Sequence, residues 1–275
     1  MKTRLSALML LLCALPLAHA DAEVKLTGFT APYVNREKSG YQYVSFGTYP
    51  YEKDGTEAPV LWRVLGPGVP GDDDVIDAAN APDKKWKKVA NTDDMSGDNA
   101  DMVCLMTEYI VDMVQYNDVK DTEEGGGLDY ENSMMYATLN SEVLNRMFTP
   151  EQQAVLVEMP ERGKLALPTR KGELFRTDYG FPAEDFTVSK TRNTIGTPYA
   201  YSQGLRHVEG HSWYFTADWR RYGQRWIVGD NGHISVSGVN RRGGVRLVCY
   251  VHQKDLDSAG GTGTFRDPIV LTVAK

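Results

Sequence analysis

The chain has 275 residues and carries 30 Lys and Arg against 37 Asp and Glu, a formal net charge of −7. This acidic balance argues against a general nucleic-acid binder, because such a protein needs a basic surface to neutralise phosphates. The five Trp, fifteen Tyr and eight Phe residues exclude an intrinsically disordered chain and are enough to build a large core.

The first twenty residues have the pattern of a secretion signal. Lys2 and Arg4 precede an apolar run over residues 8–12, and Ala18-His19-Ala20 matches a small-x-small cleavage site. The apolar run is much shorter than the roughly 20 residues of a membrane-spanning helix, and no later stretch approaches that length. We therefore expect a periplasmic or secreted protein without a membrane span.

Two cysteines follow the predicted signal, which removes Cys13. Because exported proteins meet an oxidising environment, we expect Cys104 and Cys249 to form one disulfide. Two buried thiols are the alternative, since the spacing of cysteines in a sequence does not establish that they are in contact.

In chain order, residues 21–40 are predicted to be an N-terminal arm, and residues 43–49 and 60–65 to be strands. Residues 66–101 are rich in Asp, Gly and Pro, which predicts a surface insertion. The apolar pattern of residues 102–116 fits either a helix or a strand.

The second half of the chain has clearer boundaries. Ser133 is predicted to cap one helix, and Thr149, followed by proline, to cap another. Residues 160–212 are predicted to be long and irregular. Residues 225–237 have the pattern of a hairpin around a Gly-Asp-Asn-Gly turn, and residues 245–251 that of a final strand.

These elements predict a single α+β domain over residues 41–275. Strands at both ends of the domain enclose the two helices, so we expect the terminal strands to pair in a common, mostly antiparallel sheet.

A dense group of aromatic and arginine side chains lies around the predicted hairpin. Such side chains dominate binding sites, because they combine large contact area, cation–π contacts and forked hydrogen-bond donors. We expect Trp213, Phe215 and Trp226 to fill the core. The alternative for the arginines is that they are solvated or paired with Asp218 and Asp230. The predicted ligand-binding residues are Trp219, Arg220, Arg221, Tyr222, Arg241 and Arg242.

Other candidate sites are weak. His207 and His211 are four residues apart, but the glutamate lies at the wrong position for a metalloprotease motif and Gly210 disfavours a helix. The acidic stretches at 72–74 and 93–99 do not fit a calcium-binding loop. We therefore predict no metal site, no cofactor and no catalytic residue.

Several short motifs occur in the order found in a known protein family, over residues 43–251. They are Ser45 to Tyr49, Pro59 to Leu65, Leu139-Asn140, Leu165 to Pro168 with Glu173, Tyr179 to Phe181, Arg192 with Thr197 to Ala200 and Gly204, Trp213 to Thr216, Gly232, and Gly243 to Arg246. Together they resemble the bacterial family known as domain of unknown function 6273. The chain departs from that family at Leu247, where a proline is usual, and at Phe215-Thr216, where Arg-Ser is usual.

The closing motif of that family is similar to the one in C-type-lectin-like domains, which include the formylglycine-generating enzymes. The resemblance implies a C-type-lectin-like fold: a mixed, mostly antiparallel sheet with two helices and a long irregular loop region that carries the binding site. It also favours strand over helix for residues 102–116. The enzymes' oxidase chemistry needs two neighbouring cysteines late in the domain, and this chain has only Cys249 there.

We therefore predict an exported, non-enzymatic module that binds a saccharide, a peptide or another cell-envelope ligand. Two alternatives remain: an uncharacterised envelope hydrolase that uses His207 or His211, and a structural subunit of an envelope assembly. The sequence does not identify the ligand or the oligomeric state.

Overall fold

The structure, a computed structural model, describes residues 24–26, 41–67, 97–118, 129–170, 172–174, 194–208, 210–221 and 223–275. The predicted signal peptide lies outside these residues, as do most of the predicted arm, most of the predicted insertion and Tyr222. The Tyr179 to Phe181 motif and Arg192 also lie outside them.

Two β-sheets form the framework of the described residues. The six-stranded sheet has the order β10-β11-β1-β2-β3-β9, and the five-stranded sheet has the order β4-β8-β5-β6-β7. The strands are β1 (Tyr43–Pro50), β2 (Glu57–Pro67), β3 (Met102–Thr107), β4 (Asp112–Gln115), β5 (Tyr214–Arg221), β6 (Gln224–Val228), β7 (Ile234–Gly238), β8 (Arg242–Val245), β9 (Val248–His252), β10 (Leu256–Ser258) and β11 (Ile269–Val273).

Apart from three 3-10 turns (Gly97–Asp101, Tyr130–Asn132 and Gln253–Asp255), the helices in the described part of the chain are short. They are α1 (Met134–Thr138), a π-helical turn (Leu139–Val143), α2 (Leu144–Met147), α3 (Pro150–Ala154) and α4 (Pro198–Ser202). Both predicted helix starts are confirmed: Ser133 accepts a hydrogen bond from the Tyr136 N–H, and Thr149 forms a capping box with Gln152. None of the described helices is long and apolar enough to cross a membrane.

The first and the last described strands meet in the six-stranded sheet, as predicted. β1 pairs with β2 in antiparallel and with β11 in parallel orientation. All other strand pairs are antiparallel, except for one parallel bridge between Tyr214 and Gly244. The fold is therefore a mixed α+β arrangement of mostly antiparallel sheets.

A bent two-stranded ribbon connects the two sheets. Residues 102–116 do not form one strand: β3 lies in the first sheet and β4 in the second. The predicted strand over residues 245–251 is likewise divided between β8 and β9. The β3–β4 segment and the β8–β9 segment pass from one sheet to the other at the same point. There the Thr107 N–H donates to the Leu247 carbonyl at 2.8 Å, and the Leu247 N–H donates to Thr107 Oγ1 at 2.9 Å.

Most of the core packs against the six-stranded sheet. Trp62 is fully buried, stacks on Phe148 with ring centroids 6.2 Å apart, and donates its indole N–H to the Phe46 carbonyl at 2.8 Å. A smaller apolar cluster, which includes Tyr214, Val228 and Leu174, packs against the five-stranded sheet.

Cys104 and Cys249 are buried thiols in the structure, which corrects the predicted disulfide. The strand register pairs Cys104 with Tyr250, and Leu105 with Cys249. Because successive side chains of a strand point to opposite faces, the two cysteines lie on opposite faces of the sheet. A disulfide needs its two Cβ atoms about 4 Å apart, and this register does not allow that approach.

Candidate ligand-binding surface

The predicted hairpin of β6 and β7 is confirmed, and β5 continues it into a three-stranded unit. The register of β5 and β6 shifts between Phe215, which pairs with Ile227, and Trp219, which pairs with Arg225. Three residues of β5 therefore lie opposite the single residue Trp226. Such a bulge bends a strand and redirects its side chains, and it gathers the polar end of β5 around this tryptophan.

Two arginines lie against the Trp226 ring. The guanidinium carbon of Arg170 is 4.2 Å from the ring centroid and that of Arg220 is 4.9 Å from it. Both distances are within the range of a cation–π interaction. Trp226 was predicted to fill the core; it is instead half-buried, and it orients two cations at the protein surface.

Asp218 lies beside this tryptophan and connects β5 to the loop that carries Arg170. The Arg170 backbone N–H donates to Asp218 Oδ2 at 2.8 Å. Burial raises the pKa of Asp218, and hydrogen bonds from Arg170 and Thr216 oppose that rise only in part.

Trp219 presents a large apolar surface next to these charges. Its side chain is 52% exposed, an unusual exposure for so large an aromatic residue. We refer to Arg170, Asp218, Trp219, Arg220 and Trp226 as the arginine–tryptophan surface.

The other predicted site residues are only partly placed. Arg221 ends β5, and its backbone pairs with Gln224. Arg241 and Arg242 are exposed and follow Val239, whose N–H donates to the Gly223 carbonyl at 3.1 Å in the turn of the β5–β6 hairpin. The guanidinium of Arg242 donates to the Met113 carbonyl at 2.8 Å, so part of its hydrogen-bonding capacity stabilises β4.

The three aromatic residues predicted to fill the core differ in burial. Phe215 is fully buried, as predicted. Trp213 is partly buried and packs edge-on against Phe215, with ring centroids 5.3 Å apart. A Cβ atom at Gly243 would collide with the Trp213 ring, which explains why the Gly243-Gly244 motif carries no side chains.

A buried network holds the Arg170 loop in place. Glu173 accepts from the Arg162 guanidinium at 2.6 Å and from the Tyr250 hydroxyl at 2.5 Å. Its other oxygen accepts from the Thr169 N–H at 2.8 Å and the Thr169 hydroxyl at 2.9 Å. Burial alone would raise the pKa of Glu173, but the charge and hydrogen bonds of Arg162 outweigh it and lower the pKa to about 2.

The charge of the second sheet differs in sign from that of the whole chain. Residues 213–246 contain six arginines, two aspartates and no Lys or Glu, whereas the whole chain has a net charge of −7. Arg225 and Arg246 are fully buried, so among the described side chains of this segment the basic patch at the surface consists of Arg220, Arg241 and Arg242. Such a patch on an acidic protein favours an anionic ligand, because the local field attracts it. Sequence analysis identified most of this patch but missed Arg170, which no local motif indicates.

The histidines do not form a metal site with other described residues. His207 is exposed and packs edge-on against Tyr201, with ring centroids 5.4 Å apart, and His211 is partly buried. Within the described ranges, no group of three or more His, Cys, Asp or Glu side chains is arranged to hold a metal ion.

A groove lies between the six-stranded sheet and helices α2 and α3, apart from the arginine–tryptophan surface. It has a volume of about 550 Å³, and Gly47, Phe148 and Val270 are among its lining residues. β1 and β11 pair only at residues 44–45 and 269–270, so the groove lies next to the point where the pairing of these strands ends. None of the predicted site residues lines this groove.

Comparisons with protein-family models, with curated proteins and with solved structures give no match. The function is therefore inferred from the chemistry of the arginine–tryptophan surface.

Proposed function

We propose that this protein is an exported, non-enzymatic binding module for an anionic saccharide. The observation that carries the proposal is the exposed Trp219 beside a tryptophan that is flanked by two arginines. An indole ring stacks on the apolar face of a sugar, and a guanidinium donates two parallel hydrogen bonds to a carboxylate. The surface therefore suits a sugar that carries carboxylate groups, such as a uronic acid.

The surface is organised before a ligand arrives. Trp226 restrains the guanidinium groups of Arg170 and Arg220, and Asp218 fixes the backbone of Arg170. Restraining these long side chains in advance lowers the conformational entropy that binding would otherwise cost.

We propose further that the fold is C-type-lectin-like and that the chain is a member of the domain of unknown function 6273 family. The order of the elements supports this: terminal strands in one sheet, short helices between them, and an irregular region before the hairpin. The proposed site lies where such folds carry their ligands, at the irregular region and the strands that follow it. We also propose that the protein is exported to the periplasm or secreted.

Isothermal titration calorimetry with tetragalacturonate tests the proposal. Its methyl ester is the matched control, because it has the same rings without the negative charges. We expect tetragalacturonate to bind at least tenfold more tightly than the ester, since charged hydrogen bonds contribute about 1.5–3 kcal/mol. Equal affinity for the two compounds, or no binding of either, would contradict the proposal.

Two variants locate the site. Arg220→Gln and Trp219→Ala are each expected to lower the affinity for tetragalacturonate about tenfold. Arg206→Gln removes an exposed arginine outside the surface and is the matched control, with unchanged affinity. Chromatography of the sugar after prolonged incubation tests the alternative that the protein is a hydrolase. Shortened products would identify a hydrolase and contradict the proposal of a non-enzymatic binding module.

A further inference from the structure

We propose that β7 is a docking edge, onto which an extended acidic segment of a partner protein adds as a new strand. β7 is the outermost strand of the five-stranded sheet in the described part of the chain. It pairs with β6 over its whole length without a register shift, so its outer side is a straight, regular edge. This docking site goes beyond the proposed saccharide site, because it uses the backbone edge of β7, although Arg170 and Arg220 border both.

The hydrogen bonds at the two ends of this pairing show which backbone groups face outward. At one end the Gly229 N–H donates to the His233 carbonyl at 2.8 Å. At the other end the Val239 N–H donates to the Gly223 carbonyl at 3.1 Å. In an antiparallel pair, hydrogen-bonded and non-hydrogen-bonded residue pairs alternate along the strands. The odd-numbered residues from 233 to 239 are therefore those that bond to β6.

The even-numbered residues point the other way. Ile234 and Val236 direct their backbone N–H and carbonyl groups away from β6, toward the outer edge. The opposite strand agrees with this pattern: the Trp226 carbonyl, which pairs in register with Val236, accepts from the Thr216 hydroxyl of β5 at 3.0 Å rather than from β7. An added strand would find a row of backbone donors and acceptors at the usual spacing.

β7 has none of the usual protections of an open edge. Natural sheets block such edges with lysine, proline, bulges or inward-pointing charges. The sequence of β7 is Ile-Ser-Val-Ser-Gly, and the side chain of Val236 at its centre is 40% exposed. Within the described part of the chain, the outer edge of β7 is therefore open to an added strand.

Charge identifies the partner as acidic. Val236 is the cross-strand neighbour of Trp226, and Arg170 and Arg220 lie on that ring. A second copy of this chain would bring the same arginines toward the edge and be repelled, whereas an added strand that carries glutamates on every second residue would be attracted by them.

Fluorescence anisotropy with a labelled six-residue peptide that alternates glutamate and valine tests the docking edge. Two control peptides separate its parts: one carries lysine for each glutamate, and one carries N-methyl groups on alternate backbone nitrogens. We expect both controls to bind at least tenfold more weakly, because the first reverses the charges and the second removes backbone hydrogen bonds.

Paired proline variants test the direction of the backbone groups. Val236→Pro removes an N–H that β6 does not use, so we expect the protein to stay folded and peptide affinity to fall at least tenfold. Ser235→Pro removes an N–H that bonds to β6, so it is expected to lower the melting temperature clearly. Binding of tetragalacturonate by Val236→Pro should be unchanged, which separates this proposal from the proposed function.

Three results would overturn the docking edge. The first is undiminished peptide binding by Val236→Pro, and the second is equal binding of the lysine peptide. The third is a dimer in sedimentation experiments that Val236→Pro converts to a monomer, because it would assign the edge to a second copy of the chain.

Discussion

Arginine serves two different purposes in this molecule. Beneath the six-stranded sheet, Arg162 is paired with the buried carboxylate of Glu173, and Arg63 is paired with Glu108 at 2.6 Å, with side chains 2% and 0% exposed. On the five-stranded sheet, Arg170 and Arg220 lie against the Trp226 ring instead.

This difference distinguishes arginines that hold the fold from arginines that can bind. A buried guanidinium without its carboxylate is strongly destabilising, so such a pair is committed to the structure. A guanidinium on an aromatic ring keeps its in-plane N–H donors, because the ring contacts only its face. Burial and charge partner together are therefore better guides to function than the number of arginines.

The largest expected effect is the loss of stability when the Arg162–Glu173 ion pair is broken. Glu173→Gln removes the counter-charge of Arg162, whose side chain is 18% exposed, so we expect the free energy of unfolding to fall by about 3 kcal/mol. Arg220→Gln, which loses one cation–π contact at the surface, should lower it by no more than about 1 kcal/mol. Urea unfolding followed by tryptophan fluorescence measures both. Losses of similar size in the two variants would remove the distinction between the two kinds of arginine.

The stability that Glu173 contributes should also depend on pH. The pKa of Glu173 is about 2 in the folded protein and 4.5 in its ordinary state, so this group stabilises the fold at and above pH 4.5. We expect that stability to be lost as the pH falls from about 4.5 to about 2. Unfolding free energies across this range should show a slope that Glu173→Gln reduces. Identical slopes in the two proteins would mean that Glu173 is not held ionised.

A smaller effect is expected at the ring that supports the exposed arginines. Trp226→Leu keeps an apolar side chain but removes both cation–π contacts, each of which contributes about 0.5–1 kcal/mol. We expect the affinity for tetragalacturonate to fall about fivefold and stability to fall by about 1 kcal/mol. Trp226→Phe is the matched control, because it retains an aromatic ring. If calorimetry finds the same affinity for Trp226→Leu and Trp226→Phe, the aromatic ring does not position the arginines.

The smallest effect concerns Asp218. Its negative charge opposes an anionic ligand, so Asp218→Asn is expected to raise the affinity for tetragalacturonate about two- to threefold. Calorimetry at neutral pH measures the change, and Asp218→Glu, which keeps the negative charge, is the matched control. An unchanged or lower affinity of Asp218→Asn would show that this charge does not oppose the ligand.

The parts of the fold that follow local rules could be predicted from the sequence. The caps at Ser133 and Thr149 and the β6–β7 hairpin depend on a few adjacent residues, and each appears where its motif places it. The sequence does not indicate that residues 102–116 and residues 245–251 are each divided between the two sheets. This division depends on the crossing at Thr107 and Leu247, which are far apart in the chain and meet only in the folded protein.

The candidate site shows the same limit. Trp219 and Arg220 could be predicted, because an aromatic and basic cluster is visible in the sequence itself. Arg170 reaches Trp226 from a distant loop, and nothing local to residue 170 indicates that contact. The predicted disulfide failed for a related reason: a register offset of a single residue decides whether two cysteines share a face.

The parallel pairing of β1 with β11 determines the order in which the protein can fold. β1 is one of the first described strands and β11 the last, so the six-stranded sheet stays incomplete until almost the whole chain has been synthesised. Contacts between residues this far apart in sequence also form slowly. A chain emerging from the ribosome would therefore complete its six-stranded sheet only after β11 has appeared, whereas all strands of the five-stranded sheet are synthesised earlier.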